Sequence, residues 1–210
     1  MSTIKLSGID ISYHNGEIDF EKIKSKVDFI IMRAGYGTKS KDSKEIKFDI
    51  YYDEAKKHNI PIGTYWYCYA KTPDEALLEA KTFLNKVKGK TFEFPVYYDV
   101  EEKTIFDTGK ENVNAIIKTF FEELEKNNYF CGLYISSYYL NDIISDEIKQ
   151  KYEIWVAHWG VDKPNYNGKW GIWQYSSKGH IDGIESKYVD LNTAIIDYEP
   201  IIKKLRKNVY

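Results

Sequence analysis

The sequence predicts an α/β fold, an irregular TIM-like (β/α) barrel with about eight strands and reduced last helices. Three observations carry this expectation. Short apolar runs rich in Ile, Val, Tyr and Trp alternate with amphipathic stretches nearly from end to end, and each return to one sheet edge needs a crossover, so parallel strands are implied. About eight such runs favour closure over an open sheet. From Trp155 onward little helical sequence separates the runs, which removes the final helices of the outer ring.

The strand candidates are residues 8–13, 29–35, 61–69, 94–101, 132–136, 154–159, 171–175 and 188–193, bounded by Gly, Pro, Asn or charged clusters. Among the helical stretches, residues 20–26 are short, and residues 48–57 set Phe48, Tyr51, Tyr52 and Ala55 at helical spacing. Residues 73–87 begin with Thr72 as N-cap, Pro73 at the first position and Glu75 three residues after the cap. Residues 112–126 align Val113, Ile116, Ile117, Phe120, Phe121 and Leu124 in one stripe. Stretches 138–148 and 200–205 complete the set, and 160–168 reads as loop. With no repeat or linker in the pattern, residues 1–210 are expected to form a single domain.

Composition narrows the function classes. The chain has 30 basic against 32 acidic residues, a net charge of −2, so no polycationic surface calls for nucleic acid or an anionic membrane. No apolar run reaches the length of a membrane span, and the N-terminal sequence has no apolar signal-peptide core. Synthesis in the cytoplasm is therefore expected. Cys68 and Cys131 each sit in an apolar run and are read as buried free thiols. The aromatic share is high, with 19 Tyr, 10 Phe and 5 Trp; most of the Phe fill a core, while Tyr and Trp also suit stacking on sugars or bases.

In such a barrel, function belongs at the C-terminal ends of the strands. The fourth run reads Phe94-Pro-Val-Tyr-Tyr-Asp-Val-Glu-Glu. Asp99 and Glu101 are two apart, so on a strand they share a face, with α-carbons about 6.5 Å apart. An isolated Asp-x-Glu at a strand end usually means nothing. Here the first run carries Asp10 and the last carries Asp190, each alone among apolar residues. First and last strands are neighbours in a closed barrel, so four acids converge. Crowding raises the pKa of one acid beside an ionised partner. Glycoside hydrolysis requires that pairing: one group protonates the leaving oxygen while the other steadies the positive anomeric centre.

Competing motifs are weak. Gly35-Tyr-Gly37 would need its third fingerprint glycine at Ser40, so it reads as a turn. His14, His58, His158 and His180 lack metal-ligand spacing, and no metal or other cofactor is expected. His14 and His158 sit at strand ends and read as hydrogen-bonded bystanders of a cleft. No Gly-x-Ser-x-Gly elbow occurs.

Seven segments then stand in family order: Gly8-Ile-Asp10, Arg33-Ala-Gly-Tyr-Gly37, Gly63-Thr-Tyr65-Trp-Tyr67, Asp99-Val-Glu101, Trp155-Val-Ala, Trp173-Gln174 and Val189-Asp190-Leu-Asn192. Together they resemble the glycoside hydrolase family 25 lysozymes, the Chalaropsis-type muramidases, from about Gly8 to Asn192. The resemblance implies retaining cleavage of the β-1,4 bond from N-acetylmuramic acid to N-acetylglucosamine in bacterial peptidoglycan. It implies Glu101 as general acid/base and Asp99 as the assisting carboxylate, either a nucleophile or a support for the substrate's own 2-acetamido group, the reading favoured here. Asp10 and Asp190 match the other two acids of the cluster. Tyr65, Tyr67, Tyr134 and Trp155 match positions that line the sugar groove, and Tyr36 joins them for its place at a strand end. Trp66 stands where many members have His, which reads as a packing variant. A chitinase signature would want a further Asp at position 97, where this chain has Tyr97.

Two rivals remain at this stage, an N-acetylglucosaminidase and a catalytically inactive carbohydrate-binding barrel. Bond choice depends on pocket shape, and the intact acid set argues against the second. A monomer acting on wall glycan is expected, as a phage lysis enzyme released through a membrane pore or as a bacterial autolysin.

Overall fold

The computed structural model describes residues 4–38 and 46–209; Ser40 lies outside them. Eight strands close a barrel in chain order: β1 (Leu6–Ile11), β2 (Phe29–Tyr36), β3 (Ile62–Tyr67), β4 (Val96–Asp99), β5 (Cys131–Ser136), β6 (Glu153–Ala157), β7 (Ile172–Gly179) and β8 (Val189–Ala194). Neighbours from β1 to β7 are parallel, whereas β8 runs antiparallel to both β7 and β1. The all-parallel expectation fails at this strand. β7 continues to Gly179, beyond the expected end at Tyr175, and residues 180–188 hold no crossover helix. A connection without a crossover joins antiparallel strands.

Strand alternation sorts the apolar residues into two cores. Phe29, Ile31, Tyr65, Phe94, Tyr97, Tyr134, Trp155 and Ile172 fill the barrel, together with Tyr198 and Ile202 of α8 (Tyr198–Leu205), which plug its N-terminal end. Phe29 stacks on Phe94 at 4.4 Å, and Tyr198 meets Phe94 edge-on at 5.4 Å. Such bulk needs missing side chains opposite. A Cβ on Gly8 would lie 2.3 Å from the Phe29 ring, and one on Gly132 2.4 Å from the Tyr97 ring.

The outer core lies between the barrel and its helices. Here α3 (Pro73–Lys86) starts on Thr72, whose hydroxyl accepts from the Glu75 N–H, as expected. The stripe of α5 (Lys110–Lys126) is fully buried, and its Phe120 stacks on Tyr98 at 3.7 Å. Shorter pieces are α1 (Phe20–Ile23), α2 (Phe48–Lys57) and α4 (Lys103–Phe106), the last not anticipated. The helix expected over residues 138–148 is two, α6 (Ser137–Asp142) and α7 (Asp146–Lys151). Ser145 breaks it: its hydroxyl caps the Ile148 N–H, and its own N–H goes to Asn114 Oδ1 on α5. Cys68 and Cys131 are free and buried, and Trp66 is wholly buried in the outer core. Among the described residues no helix is long and apolar enough to cross a membrane.

One acid lies in the outer core. Glu79 of α3 is fully buried, accepting from the Tyr98 hydroxyl at 2.8 Å and the Tyr69 N–H at 3.0 Å. Burial pushes its carboxyl up to about 7 from an ordinary 4.5, against the pull of those donors. The folded state therefore favours the protonated form. This contribution to stability is full below about 4.5 and is lost as pH rises through 7, on the order of 3 kcal/mol at most. Glu79→Gln is expected to melt higher than the wild type at pH 8, with the gap closing by pH 4.5. Thermal denaturation of both proteins at both pH values checks this; a gap independent of pH contradicts it.

Candidate active site

A cavity of about 340 Å³ opens at the C-terminal end of the parallel strands, and Asp10, Asp99, Glu101 and Asp190 all line it. Asp10 sits one residue before the end of β1, and Asp99 is the last residue of β4. Val100 turns outward into the outer core, and Glu101 returns to the cavity two residues after Asp99. Asp190 arrives by the reversal of β8. As the second residue of an antiparallel strand it begins at the barrel's upper end, directly opposite Asp10 in register. A parallel β8 would have placed it at the other end.

Tyr65, Tyr67, Tyr134 and Trp155 also line the cavity. Tyr36 does not. It ends β2 beside the cavity, with its ring edge-on to Tyr69 at 6.1 Å and the Arg33 guanidinium 5.6 Å from its centre.

Residues that the sequence reading left out complete the site. Gln174, Arg33 and Trp159 line the cavity, and Asn192 stands behind it. The Tyr134 hydroxyl and the Trp159 Nε1–H both donate to Gln174 Oε1, at 2.9 and 3.0 Å. The Gln174 amide nitrogen therefore faces Asp10 Oδ2, at 2.9 Å. On the other side Trp155 Nε1–H donates to Asn192 Oδ1 at 2.8 Å, and the Asn192 amide donates to the same Asp10 Oδ2 at 2.8 Å. Indole N–H groups only donate, so both amide orientations follow by elimination. Arg33, Gln174 and Asn192 are each a polar group in an apolar strand, the signal by which the acids were found. Gln174→Leu should leave Tyr134, Trp159 and Asp10 short of partners, at about 1–3 kcal/mol for a buried unpaired group. A fall in kcat/KM of about tenfold is expected; unchanged kinetics would contradict a link between this amide and the acids.

Four carboxylates in one cavity cannot all be ionised. Burial, then the Asp190 charge, pushes Asp10 up to about 8, against its two amide donors. Burial, then the Glu101 charge, pushes Asp190 up to about 6. Near neutrality a protonated Asp10 thus faces an ionised Asp190, and the two share a hydrogen bond. Asp99 is raised well above the ordinary range by burial, then by Glu101 and Asp10, with Arg33 opposing. Its Oδ1 is buried and accepts no hydrogen bond. Glu101 stands at the mouth, open to solvent along part of its side chain. The surrounding walls raise it most, the nearby Tyr67 hydroxyl dipole lowers it, and Asp10 raises it again. The Tyr67 hydroxyl donates to neighbouring Glu102 at 2.7 Å. The cavity therefore holds an accessible, protonatable acid two residues from a buried one. Among the described residues no group of three His, Cys, Asp or Glu is arranged to hold a metal ion.

A family model described as Glycosyl hydrolases family 25 matches residues 9–184. The chain belongs to that family. Asp10, Asp99 and Glu101 lie inside the matched segment and Asp190 just beyond it. Among family 25 relatives, the autolytic lysozyme of Clostridium acetobutylicum is 28% identical over 180 residues, covering 85% of this chain and 53% of its own length. This chain thus spans about half of that relative. A bacterial lysozyme from Streptomyces coelicolor superposes with a TM-score of 0.79 at 25% identity, covering 91% of this chain and 92% of that one. The modular autolysin LytC from Streptococcus pneumoniae, in complex with a synthetic peptidoglycan ligand, gives 0.80 at 25% identity, over 92% of this chain and 47% of its own.

Proposed function

We propose that this family 25 protein is a muramidase that cuts the β-1,4 bond between N-acetylmuramic acid and N-acetylglucosamine in bacterial peptidoglycan, with retention. The observation that carries the reading is the meeting of Asp10, Asp99, Glu101 and Asp190 in one aromatic-lined cavity. Lysozymes among the relatives, and the peptidoglycan ligand of LytC, support this substrate class.

Glu101 has the access and the raised pKa that a proton donor needs. It gives its proton to the glycosidic oxygen as the C1–O bond breaks, and the electron pair of that bond stays on the oxygen. Asp99, buried and with Oδ1 unoccupied by any donor, accepts from the substrate's acetamido N–H. That bond steers the acetamido oxygen onto C1, the substrate-assisted form of retention. Glu101, now a carboxylate, takes a proton from the water that opens this intermediate. Asp10, held by Gln174 and Asn192, shares a hydrogen bond with Asp190, and the pair keeps one negative charge beside the positive centre. Tyr65, Tyr67, Tyr134 and Trp155 offer ring faces and edges to the sugar.

The bond is tested by digesting purified peptidoglycan, reducing the new ends with borohydride and weighing them by mass spectrometry. N-acetylmuramitol is expected. N-acetylglucosaminitol would make the enzyme an N-acetylglucosaminidase, and wall binding without new ends would make it a binding barrel.

A further inference from the structure

Glu79, the buried acid of α3, takes no part in the chemistry above, and packing alone does not explain it. An apolar side chain would fill the same place in the outer core without the cost of a buried carboxyl group. Its position answers a need of the backbone. β3 ends at Tyr67, in register with Asp99 at the end of β4, and one more bond between the two chains follows, from the Cys68 N–H to the Asp99 carbonyl at 2.9 Å. The next N–H, that of Tyr69, lies beyond the paired strands and needs an acceptor from outside the sheet. Glu79 Oε1 accepts it at 3.0 Å, and Oε2 accepts from the Tyr98 hydroxyl at 2.8 Å. One carboxyl group therefore ties the chain after β3 to the residue before Asp99.

Both arms lead to the four-acid cavity. Tyr98 faces the outer core and Asp99 the cavity. Fixing the Tyr98 ring, which is stacked on Phe120, thus fixes the stretch of backbone that aims Asp99. On the other arm, the Tyr69 ring centre lies 5.1 Å from that of Tyr67, which lines the cavity.

We propose that Glu79 is a positioning residue of the active site: bridging Tyr69 and Tyr98, it holds the C-terminal ends of β3 and β4 so that Tyr67 stays beside Glu101 and Asp99 stays aimed at the sugar. The assignment rests on the glycosidase reading given above. The bridge needs no charge. A carboxylate accepts from both partners. A protonated carboxyl accepts from the Tyr69 N–H and donates to the Tyr98 oxygen, whose own hydrogen turns to the Cys68 sulfur. An amide of the same shape does the same. The titratable groups around Glu79 are Tyr98 from β4, Cys68 from the chain after β3, and Glu75 one turn back on its own helix.

The test measures kcat/KM against pH on a wall oligosaccharide for three variants, with melting curves to verify that each folds. Glu79→Leu fills the space but offers no acceptor, and its kcat/KM is expected to fall about tenfold, as a displacement below about 1 Å would cause. Its alkaline limb, where Glu101 loses its proton, should move up by about half a pH unit, because the Tyr67 hydroxyl dipole that lowers Glu101 shifts away. Glu79→Gln keeps the bridge without the charge and should stay within about twofold of the wild type, with the limb in place. Tyr98→Phe cuts only the β4 arm and should lose about threefold, again with the limb in place. If Glu79→Leu does not fold, the loss in Tyr98→Phe, or its absence, decides. Wild-type kinetics in Glu79→Leu or in Tyr98→Phe would overturn the assignment. So would a loss in Glu79→Gln equal to that in Glu79→Leu, or a limb that moves down, the direction that removal of a negative charge alone would give. A wild type that cleaves nothing would overturn the hydrolase reading and this assignment with it.

Discussion

Glu101→Gln is expected to lower kcat on peptidoglycan by about 10²–10⁴-fold while leaving the fold unchanged, the usual worth of a positioned general acid. The amide keeps the shape of the side chain, and Glu101 lies at the cavity mouth, outside either hydrophobic core. Nothing else in the cavity can replace it directly. Asp99 and Asp10 are buried, and Asp10 Oδ2 is occupied by two amide donors. KM should change little, because the loss falls on the transition state. The melting temperature should rise slightly, since one of four mutually repelling carboxyl groups is gone. Release of reducing ends by the folded variant, measured beside the wild type, checks this. A rate within tenfold of the wild type would remove Glu101 from the role of acid.

Asp99→Asn carries the second large effect, a loss of about 10²-fold or more in kcat. The amide can still contact an acetamido group, but it supplies no charge to steady the oxygen as it closes on C1. Stability should move the other way. Asp99 is raised by burial above its ordinary range, so its ionisation costs the fold increasingly as pH rises above that range, and the asparagine removes this cost. The variant should therefore melt higher than the wild type at pH 8, with less difference at pH 4. Catalysis and stability are opposed at this position, as is common where a site keeps charge in a dry cavity. A variant both active and no more stable would contradict the account of Asp99.

Much of this arrangement could be read from residue order. The period of two brought Asp99 and Glu101 to one face, and lone acids in apolar runs marked Asp10 and Asp190. Barrel closure made the first and last strands neighbours. The direction of β8 was not legible, because a strand's apolar pattern is the same read either way; only residues 180–188, without a helix, hinted at it. The amides Gln174 and Asn192 were missed for a different reason. Their meaning lies in partners 37 or more residues away, Asp10, Tyr134 and Trp155. The split between α6 and α7 depends on Asn114 reaching Ser145 from another helix. Tyr36 ends β2 at the height of the site, but it packs beside Tyr69 and Arg33 and does not line the cavity.

The most direct test of the division of labour between Glu101 and Asp99 needs no mutant. Proton NMR of a wall oligosaccharide during the first minutes of cleavage reads the anomer that forms before mutarotation. Assistance from Asp99 and the acetamido group predicts the β-anomer first, with the α-anomer growing in later. An α-anomer formed first would mean direct attack by water and would contradict the mechanism.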